Sequence, residues 1–336
     1  MTGLSTHTSA GDAEQTTKRR VLRLVVRYGY LVALVVAIAI GAVPGGRIAE
    51  GLWILTGITA FTIDRPWRTH VRTLVDWLPL IAALLAYDYT RDLADKVGMP
   101  LRMNELVDAD RGLFGGHVPT VWLQQHLAGD GQPWWTPVIG VVYTTHFIVP
   151  WAVAAIFYVY SRPLWTRYMR RVLLLSYLAL ATYILVPAAP PWLASREGAI
   201  PETVQRISGF GLGVVSPDAS TEWLEHNGNY VAALPSLHTA FAVLVTVTLW
   251  PLVTRKWLRI PLALFPPAMA FTLVYGGEHY VIDVLLGCLY VAVTTLLASA
   301  WERWRAHTGS AAEAVAPIVA DSATAGAPLT EPGDPR

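Results

Sequence analysis

The sequence predicts an all-α fold, a polytopic membrane bundle of about eight transmembrane helices, on three observations. The 336 residues are 54% hydrophobic and 15% charged, with a mean hydropathy of +0.41, above what a water-soluble domain carries. Eight stretches approach the roughly 20 apolar residues needed to cross a hydrocarbon core of about 30 Å. Lys and Arg collect in alternate gaps between those stretches, as they do on the cytoplasmic side of membrane proteins.

In chain order the predicted spans are 28–43, 49–63, 74–89, 136–160, 172–186, 233–253, 261–275 and 280–300. The second is short and opened by Glu50. Lys18, Arg19, Arg20, Arg23 and Arg27 precede the first span; Arg65, Arg68 and Arg72 lie between the second and third. Arg162, Arg167, Arg170 and Arg171 fall between the fourth and fifth, Arg255, Lys256 and Arg259 between the sixth and seventh, and Arg303 and Arg305 after the last. An even number of spans with both termini inside puts all five clusters on the cytoplasmic face.

The other face then carries two polar segments, about 92–134 and 189–232, in which Asp92, Asp95, Glu105, Asp108 and Asp110 are interleaved with a few cations. The net charge of +1 hides this asymmetry. Residues 1–20 and 306–336 read as disordered cytoplasmic tails, flanking a membrane domain at 21–305. The first span is expected to be a retained anchor rather than a cleaved signal. Cys288 is the one cysteine, which excludes an intrachain disulfide and a thiolate metal cluster. Most of the fourteen tryptophans flank the spans, as an aromatic belt would, among them Trp134, Trp192 and Trp223. No nucleotide-binding glycine loop and no nucleic-acid motif is present.

Two stretches carry polar chemistry into this apolar background. In "AALPSLHTAFAV", residues 232–243, His238 stands at the head of the sixth span; in "VYGGEHYVIDVLLG", residues 274–287, His279 and Asp283 are four apart. That spacing puts both side chains on one helix face, where a carboxylate can hold an imidazole. Groups so expensive in lipid mark an internal site. From His238 the chain crosses the membrane, turns at "TRKWLR" and returns, so both histidines come back to the same, outer side. Two histidines, one tied to a carboxylate, suit phosphoryl transfer without metal or cofactor. His279 would attack phosphorus to form a phosphohistidine, Asp283 would fix its tautomer and balance its charge, and His238 would protonate the leaving oxygen. A histidine pKa near 6.5 suits both roles near neutrality.

"PSLH" at 235–238 and "HYVID" at 279–283 resemble the second and third motifs of the type 2 phosphatidic acid phosphatase superfamily. More closely they resemble its inositol phosphorylceramide synthase branch, as do "PAAPPW" at 187–192 and "LFGGHVPTVWLQ" at 113–124. The resemblance covers about residues 75–300. It implies a six-helix core, the two-histidine mechanism, and transfer of phosphoinositol from phosphatidylinositol onto a lipid or polyol hydroxyl at the outer face of a plasma membrane. The phosphatases of the superfamily also carry a cationic first motif and an arginine six residues before the nucleophile. Here "SRP" at 161–163 has Ala155 where the lysine belongs and lies on the cytoplasmic side, and Thr272 and Leu273 replace the serine–arginine pair. The phosphate clamp is absent from these positions.

Its replacements are sought among outer-face cations, Arg102, Arg111 and Arg196, and in Ser236 and the amides of Gly276 and Gly277. Asp108, Asp110 and Arg111 are candidates for binding inositol hydroxyls, and His146, about ten residues into the fourth span, either lines the site or satisfies a neighbouring helix. Segment 108–127 reads as an interfacial element covering the bundle. The expected partners are a phospholipid donor and a lipid or polyol acceptor. Two alternatives stay open: a lipid phosphate or polyprenyl diphosphate phosphatase, and a lipid-binding or transport protein without chemistry.

Overall fold

The computed structural model describes residues 10–39, 47–94, 98–128, 133–207 and 232–324. Their helices are α1 (Ala10–Ala39), α2 (Arg47–Phe61), α3 (Trp67–Ala94), α4 (Asn104–Leu113), α5 (Pro119–Leu127), α6 (Thr136–Tyr160), α7 (Arg162–Leu185), α8 (Pro191–Arg196), α9 (Leu237–Leu249), α10 (Lys256–Tyr275) and α11 (Val281–Thr324). The fold is all-α, with isolated backbone bridges but no strand among the described residues. Two units divide the chain, residues 1–291 and residues 292–336, the division falling within α11. The second holds the remainder of α11, where Arg305 lies over the ring of Trp301 at 5.1 Å.

Each predicted span falls on a helix: α1, α2, α3, α6, α7, α9, α10 and α11. Residues 40–43 of the first, and Asp95 and Trp223, lie outside the described residues. Five of these helices are long and apolar enough for a membrane crossing, namely α3, α6, α7, α10 and α11. The α9 helix has 13 residues, about 20 Å at the helical rise, short of a hydrocarbon core. α1 starts at Ala10 and α11 runs to Thr324, inside the segments expected as tails.

The third basic group differs from expectation. Arg162 to Arg171 occupy the first turns of α7, and Ser161 alone separates α6 from α7. Ser161 is extended, with φ −156°, and Pro163 stands in the first turn of α7, where a missing N–H costs nothing and φ is preset. Three basic clusters nevertheless converge at one end of the bundle. Arg23 and Arg27 reach Asp64 at 3.2 and 3.4 Å, Arg65 donates to the Val159 carbonyl, and Arg162 Nε donates to Asp76 at 2.8 Å.

Packing occurs in two main layers. The larger cluster joins α3, α6, α7 and α9 through residues such as Trp77, Tyr168, Leu175 and Leu244. The second lies at the end away from Asp64 and Asp76, and gathers Leu106, Val121, Ala194, Ile200, Val204 and Tyr280 from α4, α5, α8, the 199–207 segment and the approach to α11. Backbone bonds lace this cap: Arg102 N–H donates to Pro187 O, Ala189 N–H to Arg102 O, and Ala233 N–H to Ala188 O. Polar segments that hydropathy leaves unassigned thus form a second small core over the helix ends, and the polar site lies at the junction.

Candidate active site

The motif around Ser236 is first a helix start. Pro235 cannot donate a backbone hydrogen bond, and Ser236 is the N-cap of α9, its hydroxyl accepting the Thr239 N–H at 3.3 Å. This satisfies one of the otherwise orphaned amides of the first turn. His238 follows in that turn. α11 begins likewise: Asp283 Oδ2 accepts the Tyr280 N–H at 2.9 Å, and the same oxygen lies 3.4 Å from His279 Nδ1. With Nδ1 facing the carboxylate, Nε2 is the nitrogen left to face a substrate.

The two starts are joined directly. Ser236 N–H donates to the Asp283 carbonyl at 3.1 Å, and Gly287 of α11 packs so closely that a Cβ there would stand 2.6 Å from the Ser236 carbonyl oxygen. His238 and His279 rings consequently lie 5.6 Å apart between centroids. His279 and Asp283 are 5% and 0% exposed. His238 Nε2 and Asp283 Oδ1 are buried with no hydrogen-bond partner among the described residues, as in a site whose polar groups are arranged for a ligand rather than for one another.

The cap holds this constellation from above. Asp110 of α4 is fully buried and accepts the N–H groups of Val281 and Ile282, each at 3.0 Å. Its negative charge thus sits at the N-terminus of α11, where the helix dipole favours it. Burial nonetheless pushes the Asp110 carboxyl above the usual carboxylate range, against the lowering by those two hydrogen bonds, and Asp283 nearby adds to the rise.

Gln124 of α5 accepts the Gln205 N–H and donates to the Gln205 and Tyr275 carbonyls. Ile207 N–H donates to Gly276 O, and Trp192 N–H to Gly277 O. Gly277 has φ +78°, and a Cβ there would meet the Gln205 carbonyl at 2.8 Å. Glycine is required here both by conformation and by this approach.

The cavity over the histidines takes lining from several elements. Arg91 comes from α3 and Tyr143 and His146 from α6, while Arg206 comes from the loop after α8 and Glu278 from the turn before His279. His146 stacks on His238 with centroids 3.9 Å apart, and Tyr143 stacks on it at 4.8 Å. Arg206 Nε donates to Glu278 at 2.7 Å with Nη2 at 3.3 Å from the second oxygen, and the guanidinium lies 5.0 Å from the Trp192 ring centroid. Among the described residues, the charged side chains on this lining are Arg91, Arg206 and Glu278.

The structure brings His238, His279, Asp283 and His146 together and sets the remaining sequence candidates elsewhere. Ser236 is buried and engaged as a cap. The amides of Gly276 and Gly277 donate inward, to Thr272 O and Val274 O, so they do not form an oxyanion cradle. Asp110 holds α11 rather than facing the cavity. Arg111 faces Asp108 at 3.6 Å, Arg102 pairs with Glu105, and exposed Arg196 lies beside Glu197 and over Trp192; none of the three lines the cavity. Arg162 of "SRP" is bound to Asp76 at the far end of the bundle.

The sequence reading placed none of Arg91, Arg206 and Glu278 in the site. The available signals were the position of Glu278 immediately before His279 and the placement of Arg206 in an outer polar segment. Among the described residues no three His, Cys, Asp or Glu side chains come together as a metal ion would need.

Fold and site together define a multi-pass membrane protein with a buried two-histidine, one-carboxylate cavity beneath a polar cap. The sequence model of the PAP2 superfamily matches residues 104–297, and the chain belongs to that superfamily. Within it the similarity is to the inositol phosphorylceramide synthase-like branch. The chain is 28% identical over 227 residues to the phosphoinositol dihydroceramide synthase of Bacteroides thetaiotaomicron, covering 62% of this chain and 71% of that protein. No solved structure matches.

Proposed function

We propose that the protein is a phosphotransferase that moves phosphoinositol from phosphatidylinositol onto a lipid or polyol hydroxyl. The observation that carries this reading is the meeting of His238 with the His279–Asp283 pair in one buried cavity; the synthase among its relatives supports the donor. His279 Nε2 attacks phosphorus, the bond to the diacylglycerol oxygen breaks, and His238 supplies the proton that the leaving oxygen needs. His238 then takes the proton of the acceptor hydroxyl as that oxygen attacks phosphorus and the P–N bond breaks. Asp283 keeps the His279 proton on Nδ1 and stabilises the cationic phosphohistidine.

The site faces outward in this reading, because the clusters of Arg23, Arg65 and Arg162 gather at the opposite end of the bundle and such clusters stay in the cytoplasm. A plasma-membrane location is part of the same proposal.

Purified protein and its His279→Ala variant, incubated with head-group-labelled phosphatidylinositol with and without added lipid alcohols, test the reading. A labelled lipid product that depends on both His279 and the acceptor is expected. Release of water-soluble inositol phosphate, or turnover of phosphomonoester lipids alone, would replace the transferase by a phosphatase.

A further inference from the structure

We propose that the Arg206–Glu278 pair sets the charge of the substrate that the cavity accepts, Arg206 gripping the phosphoryl oxygens and Glu278 restricting the site to a phosphodiester monoanion. The inference rests on the phosphotransfer reading above and assigns the cation that the family's clamp positions lack.

Arg206 is held as a site residue is held. On one side Gln124 grips the preceding residue by two hydrogen bonds, accepting from Gln205 N–H and donating to Gln205 O, and ties it to the Tyr275 carbonyl by a third. On the other, Ile207 N–H is bound to Gly276 O at 3.0 Å. The Gln205 carbonyl lies where a side chain on Gly277 would be. The two glycines therefore dock the 204–207 segment against the turn that carries Glu278 and His279. The Arg206 side chain, 21% exposed, and that of Glu278, 9% exposed, meet in this wall of the cavity. Trp192 underlies the guanidinium plane, and Tyr143, which stacks on His238, lines the same cavity. Arg206 thus shares one cavity wall with both histidines and is paired with the residue next to His279, as a group gripping phosphoryl oxygens between them must be.

The charge count gives the selectivity. Arg91 and Arg206 contribute two positive charges to the described lining and Glu278 one negative, a net of one positive apart from the imidazoles. Asp283 stands behind His279 and balances the charge of that ring. A phosphodiester carries one negative charge and matches this lining; a phosphomonoester near neutrality carries close to two and is left facing the Glu278 carboxylate. Like charges in a poorly solvated cavity repel strongly. A guanidinium paired with a carboxylate also keeps a fixed plane, which suits two oxygens of a tetrahedral phosphorus.

The test compares wild-type protein, Glu278→Gln, Arg206→Lys and Arg206→Gln on two donors, phosphatidylinositol with a lipid alcohol acceptor and phosphatidic acid with water, plus inhibition by vanadate. The ratio of kcat/KM for the two donors is internal to each preparation, so a loss of folded protein does not move it. Glu278→Gln retains an oxygen for Arg206, and the monoester-to-diester ratio should rise by about tenfold or more, with tighter vanadate inhibition. Arg206→Gln should lose about a hundredfold in kcat/KM for the diester together with vanadate sensitivity, and Arg206→Lys should recover part of both.

An unchanged ratio in Glu278→Gln overturns the charge matching, and undiminished turnover and vanadate inhibition in Arg206→Gln overturn the grip. Wild-type protein that prefers the monoester overturns the phosphotransfer reading itself, a result read from the wild type alone.

Discussion

Replacing Gly287 by alanine should nearly silence the enzyme without touching a catalytic group. An alanine Cβ would stand 2.6 Å from the Ser236 carbonyl oxygen and 3.5 Å from the Ala240 amide nitrogen. Both are backbone atoms, so no side chain can swing aside. Reaching ordinary contact at 3.4 Å requires α9 and α11 to part by about 0.8 Å, comparable to the 1 Å misplacement that costs about a hundredfold in rate. The parting falls where it matters: Ser236 caps the helix that begins with Leu237 and His238, and its N–H is bonded to the Asp283 carbonyl one turn before Gly287.

The expected result is a fall of about two orders of magnitude in kcat with a stability loss of about 1–3 kcal/mol from overpacking. Head-group transfer and thermal melting in the same detergent give both numbers. Gly112→Ala is the control, since a Cβ there meets nothing within 4 Å and its helix should gain slightly from alanine. Wild-type turnover by Gly287→Ala would refute the claim that the spacing of the two helix starts sets the geometry of the histidine pair.

Three further substitutions separate the parts of the site. Asp283→Asn should cost several orders of magnitude in turnover by removing the negative charge that balances the cationic phosphohistidine, while an amide oxygen in the Oδ2 position still accepts the Tyr280 N–H; a small effect on kcat would remove Asp283 from the mechanism. Gly277→Ala should lower kcat/KM for the donor and melt early, since alanine resists φ +78° and would displace Gln205 and with it Arg206; unchanged donor kinetics would show that the 204–207 segment does not serve the site.

Asp110→Asn turns an NH2 group toward one of the two α11 amides that the carboxylate now accepts, costing about 1–3 kcal/mol. Because burial raises the Asp110 carboxyl, the native state takes up its proton more readily than the unfolded chain. Stability linked to this group is therefore present below the unfolded pKa and is lost as pH rises through the folded one. Melting curves from acid to neutral pH should be flatter in Asp110→Asn, and an unchanged pH profile would contradict the assignment.

The elements that periodicity and hydropathy govern were legible in the sequence. All eight predicted spans lie on helices, with 136–160 matching α6 at both ends, and the i, i+4 spacing of His279 and Asp283 anticipated the contact at the start of α11. What escaped depends on contacts between residues far apart in the chain. Arg206 reads as one cation in a polar segment until Gln124, 81 residues before Gln205, and the Gly276–Gly277 turn dock its neighbours. Asp110 reads as a headgroup acceptor because nothing local reveals that the amides of Val281 and Ile282, some 170 residues later, arrive at its oxygens. Gly277 was legible as special, but its role is an approach of backbone to backbone rather than an exposed amide. Short helices such as α8 fall below the length at which an apolar period can be recognised.

The most direct test of the account is rapid-quench trapping of the protein during turnover of phosphatidylinositol carrying radiolabelled phosphorus, with mass-spectrometric mapping of the labelled peptide. The account predicts an acid-labile, base-stable phosphoinositol adduct on His279 that is chased into product by an acceptor lipid alcohol and is absent from His279→Ala. Turnover without any covalent label, or label on a residue other than His279, would contradict it.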